Sequence, residues 1–362
     1  MKVAIIHYWL NGMRGGEKVL ENICSIYPNA DIYTHVLDRE KISNKINSHK
    51  IFTTFINYLP FSKKLYKHYL FLMPSALKYI NLSNYDLIIS SESGPSKGVI
   101  KNKKAIHVCY CHSPMRYVWD MSNIYYQNFN FFEKTAYKFF LKYLKSWDIK
   151  SSNNIDLIIA NSKFVKQRIK KYWNKDAVVV NPSINLSKYF YSVDTGYYIV
   201  VSELVVYKKI DLVINAFNKI GKRLIVVGDG PLMNKYIGIS KSNIEFKGYV
   251  SEKLKNKLIS KSKALIFPGI EDFGIVPLEA MASGKPVIAF NGGGAIEYMK
   301  DGENAKLFNK QSSESLIKAI HEFELESHNF NSRKILESIK EYTDENFKIN
   351  FKKEVDRLLS NR

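Results

Sequence analysis

"GIEDFGIVPLEAMASGKPVIAF", residues 269–290, sets Glu271 and Glu279 either side of a phenylalanine, a glycine and a proline, with seven residues between them. The stretch reads as a helix from about Val276, with Pro277 at the first helical position, where its missing N–H costs nothing. Gly284 then caps the end, and PVIAF (286–290) is the next strand. Glu279 falls near the third helical position. A carboxylate in a first turn adds about 0.3–1 kcal/mol, so plain helix capping is one reading. A capping box, however, wants Ser or Thr near position 276, which is valine. Glu271 precedes the helix, where capping explains nothing. The other reading is a ligand site. A helix N-terminus offers free N–H groups to a phosphate, and Gly274 lets the backbone come close. Two carboxylates beside a phosphate should meet neutral hydroxyls, and a cis-diol matches a carboxylate in bidentate fashion. Spacing alone leaves the two readings equally open.

Outward from this stretch, short apolar runs alternate with helical patterns. VAIIHYW (3–9), YDLIISS (85–91), AIHVCYC (105–111) and IDLIIANS (155–162) are continuous apolar runs, as suits parallel strands covered on both faces. The Gly15-Gly16 turn and a helical EKVLENICSIY follow the first of them. AVVVNPSINLSKY (177–189) reads as a strand entering a linker. The same grammar then restarts with YYIVVSEL, the helix KKIDLVINAFNKI, RLIVVGDGP, IEFKGYV, the helix SEKLKNKLISKS, ALIFPG, PVIAF and the turn NGGG. The expectation is an α/β protein of two Rossmann-like domains with parallel sheets, 1–185 and 186–345, and a ligand cleft between them. A last helix, 346–362, could pack back on the first domain.

The chain has 362 residues, 46 % hydrophobic, with a net charge of +20. That size fits two domains and excludes a disordered chain. The charge favours anionic partners, although an AT-rich coding bias toward Lys, Asn, Ile and Tyr would give the same figure. Cys24, Cys109 and Cys111 form neither a disulfide framework nor a zinc pattern; the latter two read as packing residues in a reduced compartment. No signal peptide or transmembrane run is expected. IFTTFINYLPFSKKLYKHYLFLMPSALKYI (51–80) is aromatic and lysine-rich without an acidic residue, and IYYQNFNFFEKTAYKFFLKYLKSW (124–147) is similar. Such stretches read either as helices packed on the first sheet or as a surface for an anionic membrane.

EDFGIVPLEAMASGKPVIA resembles the E-x7-E signature of retaining family 4 glycosyltransferases with the GT-B fold, two facing Rossmann-like domains and a central cleft. The resemblance extends to VSELVVYKKIDLVINAF (201–217), VVGDGP (226–231), NGGGAIEYMKDGENAKLF (291–308), GGEK (15–18), CYCHSPMRYVWDM (109–121) and IANSKFVKQRIKKYW (159–173). It is nearest to bacterial mannosyltransferase-like members of surface-polysaccharide clusters. It implies that Glu279 holds the ribose hydroxyls and Glu271 the sugar hydroxyls. Phe273, Gly274 and Ile275 would meet sugar and phosphates through their backbone. Lys208 would neutralise the leaving diphosphate, Gly15 and Gly16 would approach the same phosphate, and His112 would sit by the reacting sugar. The implied catalytic group is thus Glu271, His112 and Lys208. One departure stands out: where relatives carry a second cation, five residues before Lys208, this chain has Glu203. Arg14, Lys18, Lys209 or Arg116 would have to take over.

The resemblance further implies a metal-independent enzyme, peripheral at the cytoplasmic side of the membrane. It would move mannose from GDP-mannose to a lipid-linked glycan in O-antigen or capsule-like synthesis. Rivals are a UDP-sugar donor (UDP-glucose or UDP-N-acetylglucosamine) and a GT-B UDP-N-acetylglucosamine epimerase. A nucleic-acid binder is disfavoured, because the basic residues are dispersed and no recognition motif accompanies them.

Overall fold

The computed structural model describes residues 1–122 and 131–360. They form two compact units, Met1–Pro182 with Glu345–Arg362, and Ser183–Asp344. The first unit is built on β1 (Val3–His7), β2 (Asp31–Thr34), β3 (Ile51–Thr53), β4 (Leu87–Glu92), β5 (Ile106–Cys111), β6 (Leu157–Ala160) and β7 (Val178–Val179), in the order β3-β2-β1-β4-β5-β6-β7. The second comprises β8 (Tyr198–Val201), β9 (Leu224–Val227), β10 (Ile244–Gly248), β11 (Ala264–Phe267), β12 (Val287–Phe290) and β13 (Ala305–Phe308), in the order β10-β9-β8-β11-β12-β13. Every described strand pair is parallel. In each unit the strand order reverses beside its first strand, at β1/β4 and at β8/β11. Ligands of doubly wound sheets bind beyond the carboxyl ends at such points.

Both faces of each sheet are covered, which is why its strands read as unbroken apolar runs. In the second unit Val200, Val226 and Ile266 pack with the helix Ile210–Ile220, while Ile199, Val227 and Leu265 join residues of the helix Ile275–Ala282. In the first unit the helix Gly15–Ile26 contributes Val19, Leu20 and Ile23 to a core with Ile5, Ile89 and Val108. Phe347, Phe351 and Val355 of the last helix, Asp344–Ser360, complete that core.

Several readings of the sequence need correction. In the stretch 177–189 the strand is the two-residue β7, and the one-turn Leu186–Lys188 follows it. The 51–80 stretch opens with β3 and continues in helical pieces of three or four residues, from Phe55–Tyr58 to Leu77–Tyr79. Pro60 and the left-handed Phe61 (φ 51°) interrupt it early, and Pro74 recurs in its last turns. Part of the second aromatic stretch, 124–130, lies outside the described residues. No described helix is long and apolar enough to cross a membrane.

Candidate active site

The helix after β11 runs Ile275–Ala282 and starts two residues earlier than its proline suggested. Pro277 is its third residue, still within the first turn whose N–H groups have no helical partner. Glu279 is its fifth, too far in for end-capping. Gly274 is the N-cap at φ +82°, a conformation that favours glycine. A Cβ there would lie 3.0 Å from the Ala295 Cβ and 3.2 Å from the Tyr298 hydroxyl oxygen. That hydroxyl donates to the carbonyls of Phe273 and Gly274. It thereby holds the backbone of 273–275 at the mouth of the helix. At the other end the Gly284 N–H reaches the Met281 carbonyl and the Lys285 N–H that of Ala280, both at 2.9 Å. This is the paired bonding of a Schellman cap.

Glu271 lies on the loop just before, and its carboxylate pairs with the Lys208 ammonium. Lys208 ends the one-turn Val206–Lys208 after β8, the first strand at the switch point. The two loops touch at Gly269, where a Cβ would meet the Lys208 backbone at an ordinary contact distance of 3.4 Å. The NGGG turn after β12 buttresses the same loop. Gly294 N–H donates to the Glu271 carbonyl at 2.8 Å, and a Cβ on Gly293 would fall 2.6 Å from that oxygen. Glycine is thus required there by close backbone packing. The same holds for the GDG turn, where a Cβ on Gly228 would overlap the Ser202 carbonyl oxygen at 1.9 Å. Lys209 follows in the left-handed region, φ 57°, which turns the chain sharply into the next helix. Glu203 is exposed and keeps its water.

Glu279 has other company. Its side chain is buried, it pairs with Lys255 of the helix Glu252–Ser260, and it accepts from the Tyr189 hydroxyl at 3.1 Å. Burial and the carboxylate raise the Tyr189 phenol, so it stays a donor. The structure therefore joins Lys208 with Glu271, and the backbone of Phe273 and Gly274 with Tyr298, while Glu279 is held by Lys255 and Tyr189. Sequence reading missed Tyr298, Lys255 and Tyr189. Tyr298 stood inside the quoted 291–308 stretch, but nothing local to it signalled its carbonyl partners.

In the first unit Gly15 and Gly16 are not a free turn but the first two residues of the helix Gly15–Ile26. The Glu17 carboxylate reaches back to the Arg14 N–H at 3.0 Å. A Cβ on Gly16 would lie 2.3 Å from the Tyr8 hydroxyl oxygen and 3.7 Å from the His112 Nε2. Gly16 and His112 are therefore neighbours at the carboxyl ends of β1 and β5. His112 is half-buried, and its surroundings, with His7 nearby, lower its imidazole to about 3, so it is neutral at physiological pH.

Two doubly wound parallel units of this order define the GT-B class of fold. Residues 13–188 match the model of Glycosyltransferase Family 4, and 192–344 that of Glycosyl transferases group 1; the chain belongs with the family 4 type of GT-B glycosyltransferases. It is 30 % identical over 190 residues to the uncharacterized glycosyltransferase MJ1178 of Methanocaldococcus jannaschii, across 51 % of this chain and 52 % of that one. It is 48 % identical over 67 residues to the alpha-1,3/1,6-mannosyltransferase ALG2 of Saccharomyces cerevisiae, 17 % of this chain and 13 % of that one. The chain thus spans about half the length of the first relative and a small part of the second. Among solved structures, Anabaena Alr3699/HepE in complex with UDP superposes with a TM-score of 0.71 over 99 % of this chain and 100 % of that one, at 16 % identity.

Proposed function

We propose that the protein is a retaining hexosyltransferase using a nucleotide-sugar donor, in the first instance GDP-mannose. The observation that carries this reading is the Lys208–Glu271 pair beside the Gly274-opened helix mouth, at the carboxyl ends of β8 and β11. A lysine fits the diphosphate, whose charge grows as the C1–O bond to the sugar breaks. The N–H groups of 273–275 fit its oxygens. Glu271 fits the hydroxyls of the sugar, and Glu279, already steadied by Tyr189 and Lys255, those of the ribose. Gly15, Gly16 and His112 are assigned to the phosphate and the reacting sugar. The acceptor oxygen attacks C1 from the face the diphosphate leaves. Its proton passes to the departing diphosphate, so no separate base is needed.

Mannose is favoured by the partial likeness to ALG2. A UDP-sugar is the second reading, supported by a similar structure whose complexes contain UDP and UDP-glucose. The acceptor in this proposal is a lipid-linked glycan of a surface polysaccharide, met at the cytoplasmic face of the membrane. Exposed Phe52, Phe55, Tyr58, Phe61, Phe71 and Tyr79 among Lys63, Lys64, Lys67 and Lys78 support a peripheral membrane contact. No metal is assigned a role. The test is release of GDP or UDP from GDP-mannose, UDP-glucose and UDP-N-acetylglucosamine with lipid-linked acceptors, with the anomeric configuration of the product read by NMR. Retention is expected; inversion at C1 would refute the mechanism.

A further inference from the structure

Behind His112 runs a chain of buried polar groups that the sequence does not announce. Strands β1, β4 and β5 are neighbours, and their register sets His7 opposite Ser91 and Ser91 opposite Tyr110. His112 lies two residues beyond Tyr110, which returns it to the same face. Its Nε2 is 2.8 Å from the Ser91 Oγ. The same Oγ is 2.9 Å from the His7 Nδ1. On the far side, the His7 Nε2 faces the Glu17 Oε1 at 3.7 Å and makes no hydrogen bond. His7, Ser91 and Glu17 are all buried. Such a set of groups is costly to bury unless its polarity is consistent throughout.

Two polarities satisfy both hydrogen bonds of Ser91, and the Glu17 carboxylate beside His7 selects between them. Glu17 accepts from the Arg14 N–H through Oε2, and its other oxygen faces His7. A carboxylate favours the ring tautomer that turns N–H toward it, so the His7 Nε2 carries the proton and Nδ1 the lone pair. The Ser91 hydroxyl then donates to His7 Nδ1. Having one proton, its oxygen accepts from His112, whose Nε2 must carry the hydrogen. His112 Nδ1 is left as a lone pair with no hydrogen bond to the described residues. We propose that Glu17, His7 and Ser91 are positioning residues that lock His112 in its Nε2–H tautomer, so that its Nδ1 accepts a hydrogen bond from a hydroxyl of the donor sugar. The sugar contact rests on the function proposed above; the tautomer does not. Gly16, one residue before Glu17, shares this arrangement, so the start of the helix sets both the phosphate approach and the polarity of the histidine.

The test is long-range proton–nitrogen NMR of the full-length protein with nitrogen-15 in its histidine rings, the His112 signals being assigned by loss in His112→Gln. A single Nε2–H tautomer is expected, favoured at least about tenfold, as a net hydrogen bond to a charged chain would give. Ser91→Ala should mix the tautomers, and Ser91→Thr, which keeps the hydroxyl, should restore the single form. A His112 ring protonated at Nδ1 in the wild type overturns the proposal, as does a Ser91→Ala protein that folds and keeps one tautomer. If Ser91→Ala does not fold, the wild-type spectrum alone decides. GDP-mannose and UDP-glucose are then added: a shift of the Nδ1 resonance on binding is expected. Binding of either donor with Nδ1 unmoved refutes the sugar contact, whereas failure of both to bind, with the tautomer as expected, refutes the donor reading and leaves the lock standing.

Discussion

Lys208 and Glu271 pair with each other, which holds the lysine in place; in the proposed function a diphosphate competes for it. Lys208→Ala should lower turnover by about 10²–10³, the usual effect of removing one group that stabilises developing negative charge, as read by initial rates of nucleotide release. Glu279 is a different case. Glu279→Ala strips a carboxylate from Lys255 and Tyr189, and breaking a buried pair costs about 3–5 kcal/mol; a large drop in melting temperature is expected. Glu279→Gln, which still accepts from Tyr189, should melt closer to wild type, so ligand effects are best compared in that variant. Gly16→Ala would favour the helix by propensity, about 0.5–1 kcal/mol, yet its Cβ would sit 2.3 Å from the Tyr8 hydroxyl. Loss of activity is expected for the single variant and recovery in Gly16→Ala with Tyr8→Phe, a coupling that a double-mutant cycle measures. At this scale the sequence displayed the carboxylates, the lysine and the glycines, because each sits in a local motif. It concealed the His112–Ser91–His7–Glu17 chain, whose members meet only through the order β1-β4-β5.

Elements were legible wherever burial on both faces made the run continuous, as in β1, β4, β5, β8, β9, β11 and β12. The stretches at β2 (DIYT), β3 (IFT) and β13 (AKLF) were not read as strands, being short and mixed in polarity. Pro277 misled the start of its helix by two positions, since the first turn tolerates proline at any residue without an N–H partner. The GDG turn shows how close backbone packing can by itself demand a glycine. Gly228, at φ +129° and against the Ser202 carbonyl, cannot take a side chain without moving β8 or β9. Gly228→Ala should cost roughly 3 kcal/mol or more, combining backbone strain with overpacking, as measured by urea denaturation.

For the molecule as a whole, buried histidines set the response to acid. Burial lowers His35 and His107 from the ordinary 6.5 to about 4. The unfolded chain therefore binds these protons first as the pH falls. Stability from this source is complete above about pH 6.5 and is lost as pH drops through the window to about 4. Within it each imidazole contributes a slope of roughly 1.4 kcal/mol per pH unit, which melting curves between pH 7 and 5 would register. The net charge of +20 adds a second whole-molecule expectation. Binding to vesicles containing anionic lipid should weaken with salt and with Lys63→Glu, Lys64→Glu and Lys67→Glu combined. Sedimentation with neutral and anionic vesicles distinguishes this from indifference to lipid charge.

The most direct measurement is thermal stabilisation of the wild type and of Lys208→Ala by GDP-mannose, UDP-glucose, UDP-N-acetylglucosamine, GDP and UDP. A ligand at about 100 times its dissociation constant adds about 2.7 kcal/mol to the folded state. Stabilisation of the wild type by one nucleotide series, lost or much reduced in Lys208→Ala, is the expected result and identifies the base of the donor. No stabilisation by any of the five, or equal stabilisation of both proteins, would contradict a diphosphate site at Lys208 and the helix mouth.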